Sequence, residues 1–450
     1  MAQDSVTIQQ GIYMENGSGG FLTNLTFVGG NFGAYFGNQQ FTTNQLTFMN
    51  CKTAVQVHWD WAWTMQDILI NNCTNGIVIV SGAGGSGSTG QSVGSLIVLD
   101  SIIALCDVGI VTSLFTENST LFLLQNTRFV LVDGFGRVAL ASDSSTFYNG
   151  DEIPVFGTPT ALVNNLKQFY QQRRPTYTDI GISQVIDVKA WGAAGDGETD
   201  DGPILNSILD CAANISAIVF FPFGSYVVKD TLLIPVGSRI VGQVWSQIMG
   251  KGPKFQKALE PRVVAQVGQP GDVGIIEIQS MMFTVLGPTA GAVLMEWNVY
   301  ESTQGLAAMW NSHFQVGGAI GSLLRSIQCP KNNGTVNTKC KAVLLLLHLT
   351  PKSSAYLENI WAWTADYNLD KKSQDQINIY SARGILIESQ VPTWIYGILS
   401  EHNVLYQYQI SSAKNLYISM IQTESPYYQP VPKALQLFTT GLFPNNPVFT

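Results

Sequence analysis

The sequence predicts an all-β chain built as two tandem parallel β-helices. Three observations carry that expectation: a strand–turn–strand repeat near the N-terminus, a change of composition near residue 158, and a second beginning near residue 185. Residues 46–57 (LTFMNCKTAVQV) reappear 22 positions later as residues 68–79 (ILINNCTNGIVI). Residues 25–36 (LTFVGGNFGAYF) fit the same frame 21 positions earlier, and a copy beginning at Cys106 lies 33 after Cys73. Each unit is a short β-branched strand, a turn rich in Asn and Gly, and another short strand. One such unit cannot bury its own apolar face, so units stack about 4.8 Å apart and share a core. Stacking predicts ladders, with Asn50 over Asn72 in a turn and Cys51 over Cys73 inside. A leucine-rich solenoid is the competing repeat, but its Leu frame and helical segments are missing.

The elements follow in order. Residues 1–158 read as the C-terminal part of a first β-helix. Residues 159–183 contain QQRRPTY and no period-2 run, and read as a solvated linker. Residues 184–450 read as a second β-helix. It opens on residues 185–201 (VIDVKAWGAAGDGETDD), a strand and a Gly-rich turn with Asp196, Asp200 and Asp201. Pro203 then precedes Ile204, Leu205, Ile208, Leu209 and Ala212 at helical spacing, with acidic residues at the helix start. This helix is expected to cover the open end of the second β-helix, with the acidic residues capping it. A phosphate loop or a calcium loop is a weaker reading, because neither spacing is present.

Composition narrows the function classes. The chain has 450 residues, 43 of them Gly, with 46% apolar and only 12% charged residues, about half the usual ~25%. That excludes a disordered chain and a coiled coil. A net charge of -8 argues against a nucleic-acid partner, which requires Lys and Arg patches. The most apolar run, residues 342–349, is far short of the ~20 residues of a membrane helix, so no membrane partner is expected. The N-terminal residues lack the basic and apolar pattern of a signal peptide. Six cysteines are too few for a disulfide framework, but Cys329 and Cys340 flank a polar loop and are read as a local disulfide.

Several stretches resemble glycoside hydrolase family 55. Residues 191–201 resemble the opening of pectate-lyase-like β-helices. Residues 381–389 (SARGILIES), 392–397 (PTWIYG), 400–408 (SEHNVLYQY) and 422–430 (QTESPYYQP) resemble family 55, as do 14–20 (MENGSGG) and 37–41 (GNQQF). The resemblance implies two tandem right-handed β-helices packed side by side, and a secreted fungal exo-β-1,3-glucanase that inverts the anomeric centre. The family's opening motif occurs here once, so the resemblance also implies a member lacking the start of its first β-helix and its secretion signal.

Two carboxylates stand out from the residues themselves. Glu401 and Glu424 lie 23 apart, close to the coil period, which sets them on neighbouring coils. Paired carboxylates flanking a bond are what glycoside hydrolysis needs. The bland alternative is an exposed pair on stacked turns. The resemblance assigns the general acid to Glu424, the water-activating role to Glu401 and a water-holding hydroxyl to Ser18, and it expects a further Gln upstream of Ser18. Trp59, Trp61 and Trp63 alternate, as do Trp361 and Trp363, so each set is expected on one strand face. Core packing is the bland reading for these rings. Trp363 resembles a family pocket residue and is expected to form a sugar platform. Trp394, Tyr406 and Tyr427, near the acidic pair in sequence, are further candidates for substrate contact. His402 is expected to hydrogen-bond within the site rather than bind zinc. No metal or cofactor is expected. The expected partner is β-1,3-glucan of the laminarin type, acted on from its non-reducing end by a monomer. Two rivals remain at this point: a carbohydrate-binding β-helix without catalysis, and a pectin-active enzyme. The latter's Asn-Thr-Asp and Arg-Ile-Lys arrangements are not found around these residues.

Overall fold

A computed structural model describes residues 7–79, 93–111, 121–132, 145–148, 151–154, 159–332, 334–443 and 446. The chain divides into two compact units, the first comprising residues 1–170 with Ile418–Met420 and the second Gln171–Tyr417 with Ile421–Thr450. The division falls within the 159–183 segment.

In the first unit the repeat becomes a parallel ladder. Leu25 pairs with Leu46, Thr47 with Leu69, Leu69 with Ile102 and Ile102 with Arg128. The turns between strands use left-handed backbone. Asn50 and Asn72 sit at φ 57° and 54°, a region that Asn tolerates better than most residues. The Asn72 amide donates to Asn50 Oδ1 at 2.7 Å, so the expected ladder is present. One position later Cys51, Cys73 and Cys106 stack as buried thiols in the core with Phe48, Ile70 and Ile103. Gly33 is required here, since a Cβ would meet Phe48 Cδ1 at 2.5 Å and Ala54 O at 2.7 Å. The last described strands depart from the parallel pattern: Ser145–Tyr148 pairs antiparallel with both Leu121–Gln125 and Asp151–Pro154.

The Trp59, Trp61 and Trp63 alternation does not keep three rings on one face. Trp63 is fully buried and stacks on Phe36 and Phe41, Trp59 is buried, and Trp61 is exposed. Their strand, Thr53–Gln66, pairs first with Asn75–Ile79 and then with Ser95–Leu99. It therefore turns from one sheet face to another, and period-2 parity is lost along the way.

The second unit begins at Gln171, thirteen residues before the start read from the sequence. The helix Gly202–Asn214 buries Leu205, Ile208, Leu209 and Ala212. Asp201 occupies its N-cap without capping it through the side chain. The carboxylate instead turns back to accept the N–H groups of Ala194 and Gly195, at 2.6 and 3.0 Å, and fixes the Gly-rich turn. Asp196 closes its own turn by accepting from Glu198 and Thr199, which hold its carboxyl down at about 2. The loop's acids are thus spent on backbone.

The segment expected to be a solvated linker is docked. Arg174 donates to Gln279 Oε1 at 2.7 Å and to Ser280 Oγ at 3.0 Å, and Tyr177 donates to Glu277 at 2.8 Å. Burying an arginine stem costs little when the guanidinium finds acceptors. The apolar 342–349 run forms parallel strands Lys341–Val343 and Leu345–Leu349 in the core. Cys329 and Cys340 are joined in a disulfide with a Cα separation of 5.8 Å. An Asn column recurs: Asn359 donates to Asn311 at 2.8 Å, and Asn311 to Ser280 at 3.3 Å.

Candidate active site in the second unit

Three parallel strands carry the acidic pair and its tryptophan. Trp363, on Ala355–Thr364, pairs in register with Glu401, on Thr393–Glu401, and Glu401 pairs with Glu424, on Ile421–Glu424. In-register partners share one face of the sheet, so the three side chains form a column with a step of about 4.8 Å.

The two carboxyls have opposite environments. Glu401 is 4% exposed, and its Oε1 is buried without a protein hydrogen-bond partner. Burial, with the nearby Glu424 charge, pushes it up to about 7. Glu424 keeps a quarter of its side chain exposed. The hydrogen bond from His402 leads in pulling its pKa below the ordinary value, and Tyr427 adds to it. Tyr427 donates to Glu424 Oε2 at 2.8 Å, His402 Nε2 lies 3.4 Å from the same oxygen, and Gln422 donates to Oε1 at 3.3 Å. The two environments push the carboxyls in opposite directions, Glu401 towards the protonated form and Glu424 towards the ionised one.

His402 is the corner between Thr393–Glu401 and Asn403–Ile410, held at φ 63°. Burial lowers its pKa, but Glu424 and the Thr364 carbonyl more than offset this, and the ring lies above its ordinary value. As an imidazolium it donates from Nδ1 to Thr364 O at 2.9 Å and from Nε2 to Glu424. The Trp363 indole nitrogen, 3.2 Å from Nδ1, can donate there only when the ring is neutral at that atom. Asp366 Oδ1 lies 3.8 Å from the same nitrogen. Trp361 stacks on Trp363, with centroids 5.1 Å apart.

Glu401, Glu424, Trp363, His402 and Tyr427 are thus gathered by the fold, and two other candidates are not. Trp394 is fully buried and pairs with Tyr356. It lies seven residues from Glu401 on one strand, or about 23 Å. Tyr406 is also displaced, because beyond the His402 corner its strand pairs with Tyr380–Ile387 and sets it opposite Arg383. Ser18 follows the strand Gln10–Gly17 in the first unit and is exposed. Sequence reasoning missed Asp366, Gln422 and Tyr408. Tyr408 donates to the carbonyls of Ile398 and Gln422 at 3.0 and 3.2 Å, tying the two carboxylate strands together. Gln422 alone had a signal, being two residues before Glu424 on the same face. Among the described residues there is no group of three or more His, Cys, Asp or Glu side chains able to hold a metal.

A family model described as Rhamnogalacturonase A/epimerase, pectate lyase-like, matches residues 1–78 and 185–260. The chain is 34% identical to a "Probable glucan endo-1,3-beta-glucosidase" of Arthroderma benhamiae, over 98% of this chain and 63% of that protein. It is 33% identical to the "Glucan 1,3-beta-glucosidase" of Cochliobolus carbonum, over 100% of this chain and 60% of that protein. A "Non-secreted LysM effector LysM15" of Penicillium expansum is 66% identical over 100% of this chain and 34% of its own length. The chain thus spans between a third and about three fifths of the length of these relatives. By its parallel strand ladders and these relatives, the chain has a pectate-lyase-like β-helix fold and is similar, over nearly all of its own length, to these two fungal glucan glucosidases.

Proposed function

We propose that this chain is a glycoside hydrolase acting on β-1,3-glucan. The observation that supports this most is the in-register Glu401–Glu424 pair, one carboxyl buried and the other part-exposed, beside Trp363. Glycosidic cleavage needs one protonated and one ionised carboxyl, and environments that push two pKa values apart supply them.

Glu424 is the group a glycosidic oxygen can reach, because Glu401 is buried. In the free site the environments favour a proton on the other partner, Glu401. A bound sugar strips water from Glu424 and raises its pKa, and a neutral Glu424 no longer raises that of Glu401. The proton then moves to Glu424, which donates it to the leaving oxygen. Glu401, now ionised, takes a proton from the attacking water. His402 and Tyr427 orient the Glu424 carboxyl. Trp363, expected as an open sugar platform, is only 7% exposed and packed against Trp361, so it backs the pair, and the exposed Tyr427 ring is the one a sugar can reach. Attack from the non-reducing end with inversion, a laminarin-like substrate, action as a monomer and an extracellular location all belong to this proposal and rest on the family resemblance.

The test is release of reducing sugar from laminarin and from polygalacturonate, with binding measured in parallel. Release from laminarin alone is expected. Binding of laminarin without any release would refute the hydrolase reading, and release from polygalacturonate alone would refute the substrate.

A further inference from the structure

The column of the acidic pair continues past Trp363. Gln315, on the strand His313–Val316, pairs in register with Trp363. Phe283 pairs with Phe314, so Thr284 follows beside Gln315, and Thr284 pairs with Met249. The same sheet face carries Ser225 opposite Gln247, two positions before Met249 on its strand. From Glu424 to Met249 there are five coil steps, or about 24 Å.

Gln315, Thr284, Met249, Gln247 and Ser225 line one cleft of about 520 Å³, whose lining belongs to the second unit. Its chemistry is mixed. The Ser225 hydroxyl donates to Gln247 Oε1 at 3.2 Å and holds that amide in place. Three apolar side chains on its rim face solvent: Phe223 is 70%, Ile320 69% and Leu323 50% exposed. The lining also carries Asp196, Glu198 and Lys251, and Asp196 is already engaged with its own turn. Amides and hydroxyls beside the exposed Phe223 ring suit a polyhydroxylated ligand with apolar C–H faces. The cleft begins at Gln315, one coil step of ~4.8 Å beyond Trp363 in the column of the acidic pair.

We propose that this cleft binds the distal part of a β-1,3-glucan chain whose scissile end lies at Glu424, with sugars running along the coil axis. The inference rests on the function proposed above and adds a remote subsite with its own residues, Phe223 and Gln247 foremost.

The experiment measures binding of laminari-oligosaccharides, from the disaccharide to the heptasaccharide, by calorimetry. It uses the full chain carrying Glu424→Gln so that ligand is not consumed. Affinity is expected to keep rising with length beyond the trisaccharide. Phe223→Ala and Gln247→Ala should each remove about tenfold of that rise, the size of one good ring or amide contact. Phe223 is exposed, so its truncation leaves the core intact. If affinity stops rising at the trisaccharide, or both variants bind the heptasaccharide like the parent while the unmutated chain still hydrolyses laminarin, the subsite is overturned and the hydrolase reading stands. If no oligosaccharide binds and laminarin is not cleaved, the hydrolase reading falls and the subsite with it.

Discussion

Glu424 and Glu401 differ in what an amide does to each. Glu424→Gln keeps the shape of the side chain but cannot donate a proton, so hydrolysis of laminarin should drop by about 10²–10⁴ with binding nearly intact. Glu401→Gln should also be slow. A glucosyl fluoride separates the two, because its good leaving group needs little acid help. It should restore turnover to Glu424→Gln and not to Glu401→Gln; the opposite pattern exchanges their roles. The pH profile tests the pair rather than the roles. The productive form holds one proton, lost as pH rises through about 7 on Glu401 and doubled as pH falls through the depressed pKa of Glu424. The rate should therefore decline above pH 7 and stay high below it. A profile rising steadily to pH 9 would contradict that one-proton form. The pair was legible in the sequence because 23 residues is one coil. Trp394 and Tyr406 were misread because nearness along the chain ends at the His402 corner in one case and runs down the length of a strand in the other.

At the scale of elements, the ladder of turns is the device that fixes register. Asn72 does two things at once: it adopts left-handed backbone and it bonds Asn50. Asn72→Gly keeps the first and loses the second, and Asn72→Ala loses both. Ala should therefore be worse than Gly by about 1 kcal/mol in denaturant unfolding, since the left-handed region costs a Cβ roughly that much. Equal effects would mean that the bond, not the backbone, sets the turn. The helix Gly202–Asn214 invites a cavity test. Leu209 is fully buried against the β-helix, so Leu209→Ala should cost about 2–5 kcal/mol. Both elements were legible because stacking demands repetition and an end-covering helix needs a single apolar stripe. The Arg174 segment was not, because its partners, Gln279 and Ser280, are about a hundred residues away and carry no local pattern. Nor did the acidic start of the helix reveal that Asp201 would serve the preceding turn instead.

Across the whole molecule, buried acids set the pH dependence of stability. Burial lifts Asp60 to about 8 and Glu301, Glu358 and Glu401 to about 7, with Asp100 raised to about 6. Each of these groups still holds its proton in the folded chain at a pH where the unfolded chain has lost it. The folded state then binds more protons than the unfolded one, and stability falls as pH rises through that window. The window opens near the ordinary carboxyl values, about 4 to 4.5, and closes near 8. His313 acts in the opposite sense at lower pH: burial depresses it to about 4, so the folded chain gains stability between about 4 and the ordinary value near 6.5. Asp196 and Asp230, both held down to about 2, add stability that is lost only on acidification below their ordinary range. Five raised carboxyls outweigh one depressed imidazole above pH 6. The thermal midpoint should therefore peak on the acidic side of neutrality and fall steadily from pH 6 to pH 8. Asp60→Asn and Glu358→Gln each remove one group that must charge on unfolding. Together they should flatten that decline, provided the amides keep the Gly94 and Tyr356 bonds made by the parent carboxyls. A midpoint that does not fall between pH 6 and pH 8 would show that these carboxyls ionise in the folded chain as readily as in the unfolded one.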